Sequence, residues 1–196
     1  MATNLKCFLF SVMVLIFTGC NLFTGKDINN QKDARNWQQQ FDEKLPLLGH
    51  RNWILIVDKA FPEQNGSGFE YIYVNEHLLP VLSTVLNKIN KSAHVKPIIY
   101  QDKELNYITE DQAGSIKAFL NNSKTVLGLQ SVHTMLHDSI FRKLDTESKL
   151  FTVLVIKTNE TIPYTSVFLQ LDCAYWNNEK ETQLRRNMAD KSISGK

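Results

Sequence analysis

This chain has few cysteines, little net charge and few glycines and prolines, and each of these features excludes a class of protein. Only three cysteines occur in 196 residues, two of them near the N-terminus, so a disulfide-stabilised scaffold is excluded. Lys and Arg number 22 against 20 Asp and Glu, and this balance gives no electrostatic footprint for nucleic acid. Glycine and proline number only 8 and 5, which excludes collagen-like and low-complexity chains. The remaining composition, 43% hydrophobic, suits one globular domain.

The N-terminal segment has the features of an export signal. An apolar run over residues 7–17 follows Lys6 and is shorter than the about 20 residues of a transmembrane helix. It ends in Phe17-Thr18-Gly19-Cys20, which resembles a bacterial lipobox, with Phe17 where Leu is usual. We therefore expect a lipoprotein signal peptide over residues 1–19, lipidation of Cys20 and attachment to a membrane of the cell envelope. The periplasmic and the surface side both stay open.

The rest of the chain divides into a tether and one domain. Residues 20–40 are polar and weakly periodic, which is typical of a tether that holds a domain away from a membrane. Over residues 41–196, short apolar runs such as Trp53–Val57 alternate with amphipathic stretches such as Leu78–Ile89. This alternation predicts an α/β domain with a central sheet flanked by helices. Pro97 predicts that its strand lies at an edge or starts late.

Two polar residues flank the first apolar run. His50 precedes Trp53–Val57 and Asp58 follows it, at the end of a strand where ligand sites collect in α/β sheets. Eight extended residues would separate His50 and Asp58 by roughly 26 Å. The two side chains can meet only if the preceding segment folds back or if they act across a subunit boundary. A loop histidine and a turn-forming aspartate are the alternatives without function.

Two further segments carry polar groups suited to chemistry. His133 and His137 would share one face of a helix, but no Glu completes an HExxH motif, so we expect no metal site. One functional histidine beside one structural histidine is the favoured interpretation. Residues 157–166 form a hydroxyl-rich loop between two apolar strands, suited to a polyhydroxylated ligand or to an ordinary turn. No nucleotide-binding or nucleophile motif occurs, and no cofactor is expected.

Taken together, these residues resemble the D-ribose pyranase and L-fucose mutarotase family (RbsD/FucU). The matching elements are Gly49-His50, then Val57-Asp58-Lys59-Ala60 with Pro62, and near the C-terminus Val155–Glu160 followed by Pro163-Tyr164-Thr165-Ser166. His137 matches a further family histidine better than His133 does. Ser166 stands where the family has Asn, which changes one expected sugar contact.

The resemblance implies an isomerase that interconverts cyclic forms of a reducing sugar by acid/base ring opening. It implies that His50 is the main acid/base group and that Asp58 orients His50 or holds a sugar hydroxyl. It also implies that His137 is a second proton-transfer or sugar-binding group and that Tyr164 donates a hydrogen bond. Arg51 and Ser166 are the expected sugar contacts. The resemblance also implies a ring-shaped homo-oligomer. A non-catalytic monosaccharide-binding envelope lipoprotein is the main alternative, and a structural envelope lipoprotein is a third.

Overall fold

The computed structural model describes residues 36–194, with side chains as far as Asp190. The predicted signal peptide, Cys20 and most of the predicted tether lie outside the described residues. Within the described range, no helix combines the length and the apolar character that crossing a membrane requires.

A single mixed sheet of six strands forms the centre of the fold. Its strands are β1 (Trp53–Val57), β2 (Phe69–Tyr73), β3 (Val95–Asp102), β4 (Val132–Met135), β5 (Val153–Lys157) and β6 (Val167–Cys173). They lie in the order β2-β5-β1-β6-β3-β4. All run parallel except β6, which is antiparallel to both of its neighbours, β1 and β3. The buried central strands predicted from the apolar runs are confirmed, because all five residues of β1 are buried.

Helices cover both faces of the sheet, which confirms the predicted α/β class. The helices are α1 (Trp37–Lys44), α2 (Leu78–Asn90), α3 (Ile116–Leu127), α4 (His137–Glu147) and α5 (Asn178–Ser194). Apolar side chains of α1, α2 and α3 form one hydrophobic core with one face of the sheet. The smaller core on the opposite face involves α4, through Ile140 and Leu144. The strand ends, with their polar residues, lie along two opposite edges of the sheet. The carboxyl ends of the parallel strands lie along one of these edges, and their amino ends lie along the other.

The domain begins earlier than the predicted residue 41. Trp37 and Phe41 lie four residues apart on one face of α1, and both are buried in the larger core. The Asn36 side chain accepts a hydrogen bond from the backbone N–H of Gln39 at 2.8 Å, which caps the helix. Residues 37–40 therefore belong to the domain and not to the tether.

The segment around the two histidines differs from the prediction. His133 lies in strand β4, whereas His137 is the first residue of helix α4, so the predicted shared helix face is wrong. Strand β4 pairs only with residues 99–102 of β3, and the sheet is therefore open beside Pro97. Pro97 predicted that its strand lies at an edge of the sheet, and this holds only for the first half of β3, which β4 does not cover.

Candidate active site

The carboxyl ends of β1, β3 and β4 meet at one edge of the sheet, because these strands run parallel. Asp58 follows β1, Asp102 ends β3 and His137 comes just after β4. Antiparallel β6 begins at the same edge, which adds Tyr164 and Ser166 from the preceding loop. This is the edge where α/β sheets bind ligands. We call Asp58, Asp102, His137, Tyr164 and Ser166 the carboxyl-edge cluster.

The centre of this cluster is a histidine–carboxylate pair. Nδ1 of His137 lies 3.0 Å from Oδ2 of Asp102, whose side chain is fully buried. An ionised Asp102 accepts the Nδ1 proton and leaves Nε2 as the basic nitrogen of the neutral ring. The ring is held between Phe141, with centroids 4.7 Å apart, and the edge of Tyr164, at 5.2 Å. His137 is thereby oriented as an acid/base group.

Asp102 is an energetically costly residue for the fold. Burial raises the pKa of Asp102 to about 6, against the opposing effect of its hydrogen bond to His137 and the charge of that ring. The charges of the nearby Glu104 and Asp58 carboxylates make smaller contributions to this increase in the pKa. Oδ1 of Asp102 is buried and has no hydrogen-bond partner among the described residues. A buried carboxyl with a shifted pKa in a cluster of this kind is typical of a functional site.

Sequence reasoning missed both Asp102 and Glu104. The backbone N–H of His137 lies 3.1 Å from each carboxylate oxygen of Glu104, so Glu104 fixes the start of α4. A carboxylate is also favoured there by the helix dipole. The signal for Asp102 was present, since it ends an apolar strand just as Asp58 follows one.

Asp58 is held in place from both sides of its carboxylate. The hydroxyl of Ser166 donates to Oδ2 at 2.9 Å, and the backbone N–H of Ala60 donates to Oδ1 at 2.9 Å. Ser166 also accepts the backbone N–H of Asp58 at 3.2 Å. Since Ser166 is only 1% exposed, its hydroxyl positions Asp58, and its sugar contact stays a prediction.

Two of the predicted site residues have an unusual backbone conformation. Tyr164 and Arg51 have φ angles of 58° and 74°, and Ser115 is the third such non-glycine residue in the described range. The left-handed region is unfavourable for residues with a Cβ, and such strain is concentrated at functional sites. Tyr164 is 36% exposed and therefore accessible from the carboxyl edge.

His50 and Arg51 lie at the opposite edge of the sheet. Nδ1 of His50 lies 3.1 Å from Oδ1 of Asp172, and Nζ of Lys96 lies 3.3 Å from Oδ2. Nε–H of Arg51 donates weakly to Nε2 of His50 at 3.4 Å. Partial burial acts to raise the pKa of Asp172, but the Cys173 backbone N–H, Lys96 and the charge of His50 outweigh it and lower that pKa. We call His50, Arg51, Lys96 and Asp172 the amino-edge cluster.

Within one subunit, His50 and Asp58 lie far apart, at opposite ends of β1. The extended strand β1 separates the two clusters by about 16 Å along its length. The interpretation in which the segment before β1 folds back is therefore wrong. Action across a subunit boundary stays a prediction, beside the alternatives in which His50 is a loop histidine and Asp58 a turn-forming aspartate.

An α/β sheet with an oriented histidine–carboxylate pair at its carboxyl edge has a geometry suited to holding a small ligand beside an acid/base group. The family model described as the RbsD / FucU transport protein family matches residues 38–173. The chain belongs to this family, and the predicted resemblance is confirmed.

Solved structures that are similar to this chain come from several bacteria. RbsD of Bacillus subtilis, complexed with D-ribose, shares 19% identity with a TM-score of 0.48, over 67% of this chain and 89% of that chain. The fucose mutarotase of Streptococcus pneumoniae, in complex with L-fucose, shares 15% identity with a TM-score of 0.47, over 67% and 89%. FucU of Bifidobacterium longum shares 17% identity with a TM-score of 0.46, over 67% and 92%. The comparison with curated proteins gives no match.

Proposed function

We propose that this protein interconverts the cyclic forms of a reducing monosaccharide by acid/base opening of the sugar ring. The observation that carries the proposal is the His137–Asp102 pair, which orients one imidazole at the edge where ligands bind. Family membership supports the same chemistry, since two solved relatives were crystallised with ribose and fucose.

The reaction needs one base and one acid on opposite sides of the anomeric carbon. Nε2 of His137 takes the proton of the anomeric hydroxyl, while an acid protonates the ring oxygen and the bond from that oxygen to the anomeric carbon breaks. Rotation about the bond between C1 and C2 of the free aldehyde, followed by the reverse proton transfers, closes the ring in a new form. Histidine suits both roles because its ordinary pKa lies near neutrality.

The second acid/base group in this proposal is His50 of the partner subunit. The two clusters lie at opposite edges of the sheet, so a head-to-tail interface would place the amino-edge cluster of one subunit against the carboxyl-edge cluster of the next. Repeated around a closed ring, this contact would complete every site. Asp58 and the exposed Tyr164 would then bind the sugar hydroxyls.

Proton saturation-transfer NMR between anomer signals tests the proposal on the chain that starts after Cys20. The panel contains ribose, fucose, galactose, glucose, xylose and arabinose. We expect faster exchange for one or two sugars, with about a 100-fold or greater loss in His50→Ala and in His137→Asn. His133→Asn is the matched control, because His133 is exposed on β4 and its ring contacts the tilted ring of Tyr100, at 5.4 Å between centroids. Binding of a sugar without any acceleration would favour the non-catalytic binding lipoprotein instead.

We also propose that the mature chain is anchored to the cell envelope through lipid on Cys20. The lipobox-like residues before Cys20 support this proposal. Cys20→Ser is expected to abolish incorporation of labelled fatty acid and to move the protein from the membrane fraction to the soluble fraction, as immunoblotting would show. Equal labelling of the variant would contradict it.

A further inference from the structure

The chain continues beyond the region that matches its family. The family match ends at residue 173, and residues 174–177 lead into the 17-residue helix α5. Its described side chains are largely exposed, so this helix adds nothing to the two hydrophobic cores. An exposed helix that supports no core calls for another explanation.

The start of this extension forms one wall of a cavity beside His50. The cavity has a volume of about 910 Å³, and Tyr175 and Trp176 line it together with His50, Lys96 and Asp172. Trp176 is 40% exposed and Tyr175 is 67% exposed. Large aromatic side chains in contact with both water and polar groups are typical of binding surfaces, since they bury much apolar area when a ligand arrives.

The first turns of α5 hold the indole of Trp176 in a fixed orientation. Nε1–H of Trp176 donates to Oε2 of Glu181 at 2.9 Å, and Oε1 of Glu181 accepts Nε–H of Arg185 at 2.7 Å. The ammonium of Lys180 donates to the carbonyl oxygen of Tyr175 at 3.0 Å, which ties the preceding backbone to the helix. With its N–H already used, the indole can offer its flat face to a ligand without rearrangement.

We propose that Trp176 is a stacking platform for the pyranose ring of the sugar bound at His50. This inference rests on the proposed function and names its substrate class. The apolar face of a pyranose covers an aromatic ring, while its hydroxyls reach the polar groups of His50, Lys96 and Asp172. D-Galactose is a suitable probe because its axial O4 leaves the hydrogens of C3, C4 and C5 together on one face, which can stack on an indole.

Tryptophan fluorescence and exchange kinetics of the purified full chain, solubilised in detergent, test the platform. Trp37 and Trp53 are buried, at 7% and 0% exposure, so a spectral change on adding D-galactose that is lost in Trp176→Phe reports on Trp176. We expect Trp176→Ala to raise the KM for galactose about 10-fold and to leave kcat within about twofold, and Trp176→Phe to restore most of the affinity. Met188→Ala is the control, because Met188 is exposed on the same helix and does not line the cavity.

Each outcome decides between the platform and another role. An unchanged KM in Trp176→Ala, or an equal effect of Met188→Ala, would overturn the platform while leaving the proposed isomerase intact. Dissociation of the oligomer in Trp176→Ala, measured by light scattering, would make Trp176 an interface residue and would also overturn it. If the wild type exchanges no sugar, the proposed function fails, whereas the fluorescence titration with galactose still supports or rejects the platform.

Discussion

Asp102→Asn is expected to lower the sugar-exchange rate about 100- to 10,000-fold while the protein remains folded. Asn keeps the shape of the side chain but removes the negative charge that holds the Nδ1 proton of His137 and stabilises the imidazolium form. The basic Nε2 then loses both its defined tautomer and its electrostatic support. The wild-type rate should fall as the pH drops through about 6, where Asp102 becomes protonated.

The same substitution, although it lowers the exchange rate, should not lower the free energy of unfolding at pH 8. Burial raises the pKa of Asp102 from 3.8 to about 6, so the native state binds this proton more tightly than the unfolded chain does. The stability that the proton contributes is fully present below about pH 3.8 and is lost as the pH rises through about 6. For this group alone, the loss amounts to at most about 3 kcal/mol. Asp102→Asn removes that loss, and at pH 8 the variant should be at least as stable as the wild type.

Urea unfolding from pH 4 to pH 8, paired with exchange kinetics, measures both effects. The free energy of unfolding of Asp102→Asn, minus that of the wild type, should increase across this range. Asp138→Asn is the matched control, since Asp138 is exposed and follows His137 directly on α4. Full exchange activity of Asp102→Asn would show that Asp102 does not serve the chemistry, and a fall in its stability at pH 8 would contradict the predicted cost of burying the charge.

Much of the sheet could be predicted because its strands β1 and β5 are buried on both faces. A strand such as β1 needs apolar residues at every position, and no helix pattern competes with such a short run. The cluster around Asp58, Tyr164 and Ser166 could be placed because these residues lie directly beside such strands. Parallel strands then bring their carboxyl ends together whatever the intervening sequence.

Strand β4 could not be predicted from the same rules. It is four residues long and lies at the edge, and none of its residues is fully buried, so it has no apolar pattern. Its pairing with β3 is a long-range property, and without it His133 and His137 looked like neighbours on one helix. The role of Asp102 depends on the same pairing, because His137 reaches its carboxylate only when β4 lies beside β3.

Mixing two inactive variants should restore activity if the site is shared between subunits. His50→Ala and His137→Asn each remove one half of the proposed site, and each alone should lose about 100-fold or more of the exchange rate. Subunits that are unfolded and refolded together assemble at random, and roughly one quarter of the shared sites then receive both intact histidines. The mixture should therefore recover up to about 25% of the wild-type rate.

The recovery depends on the separation of the two clusters within one chain. With β1 extended between them, His50 cannot act on the carboxyl edge of its own subunit, so rescue requires a neighbour. A mixture of His137→Asn with Asp102→Asn is the control, because both changes lie in the same cluster and no assembly of these chains contains an intact one. Recovery of activity in the control mixture would contradict the shared site. So would the absence of recovery in the test mixture, provided that mass spectrometry shows mixed oligomers. In either case His137 would act without His50.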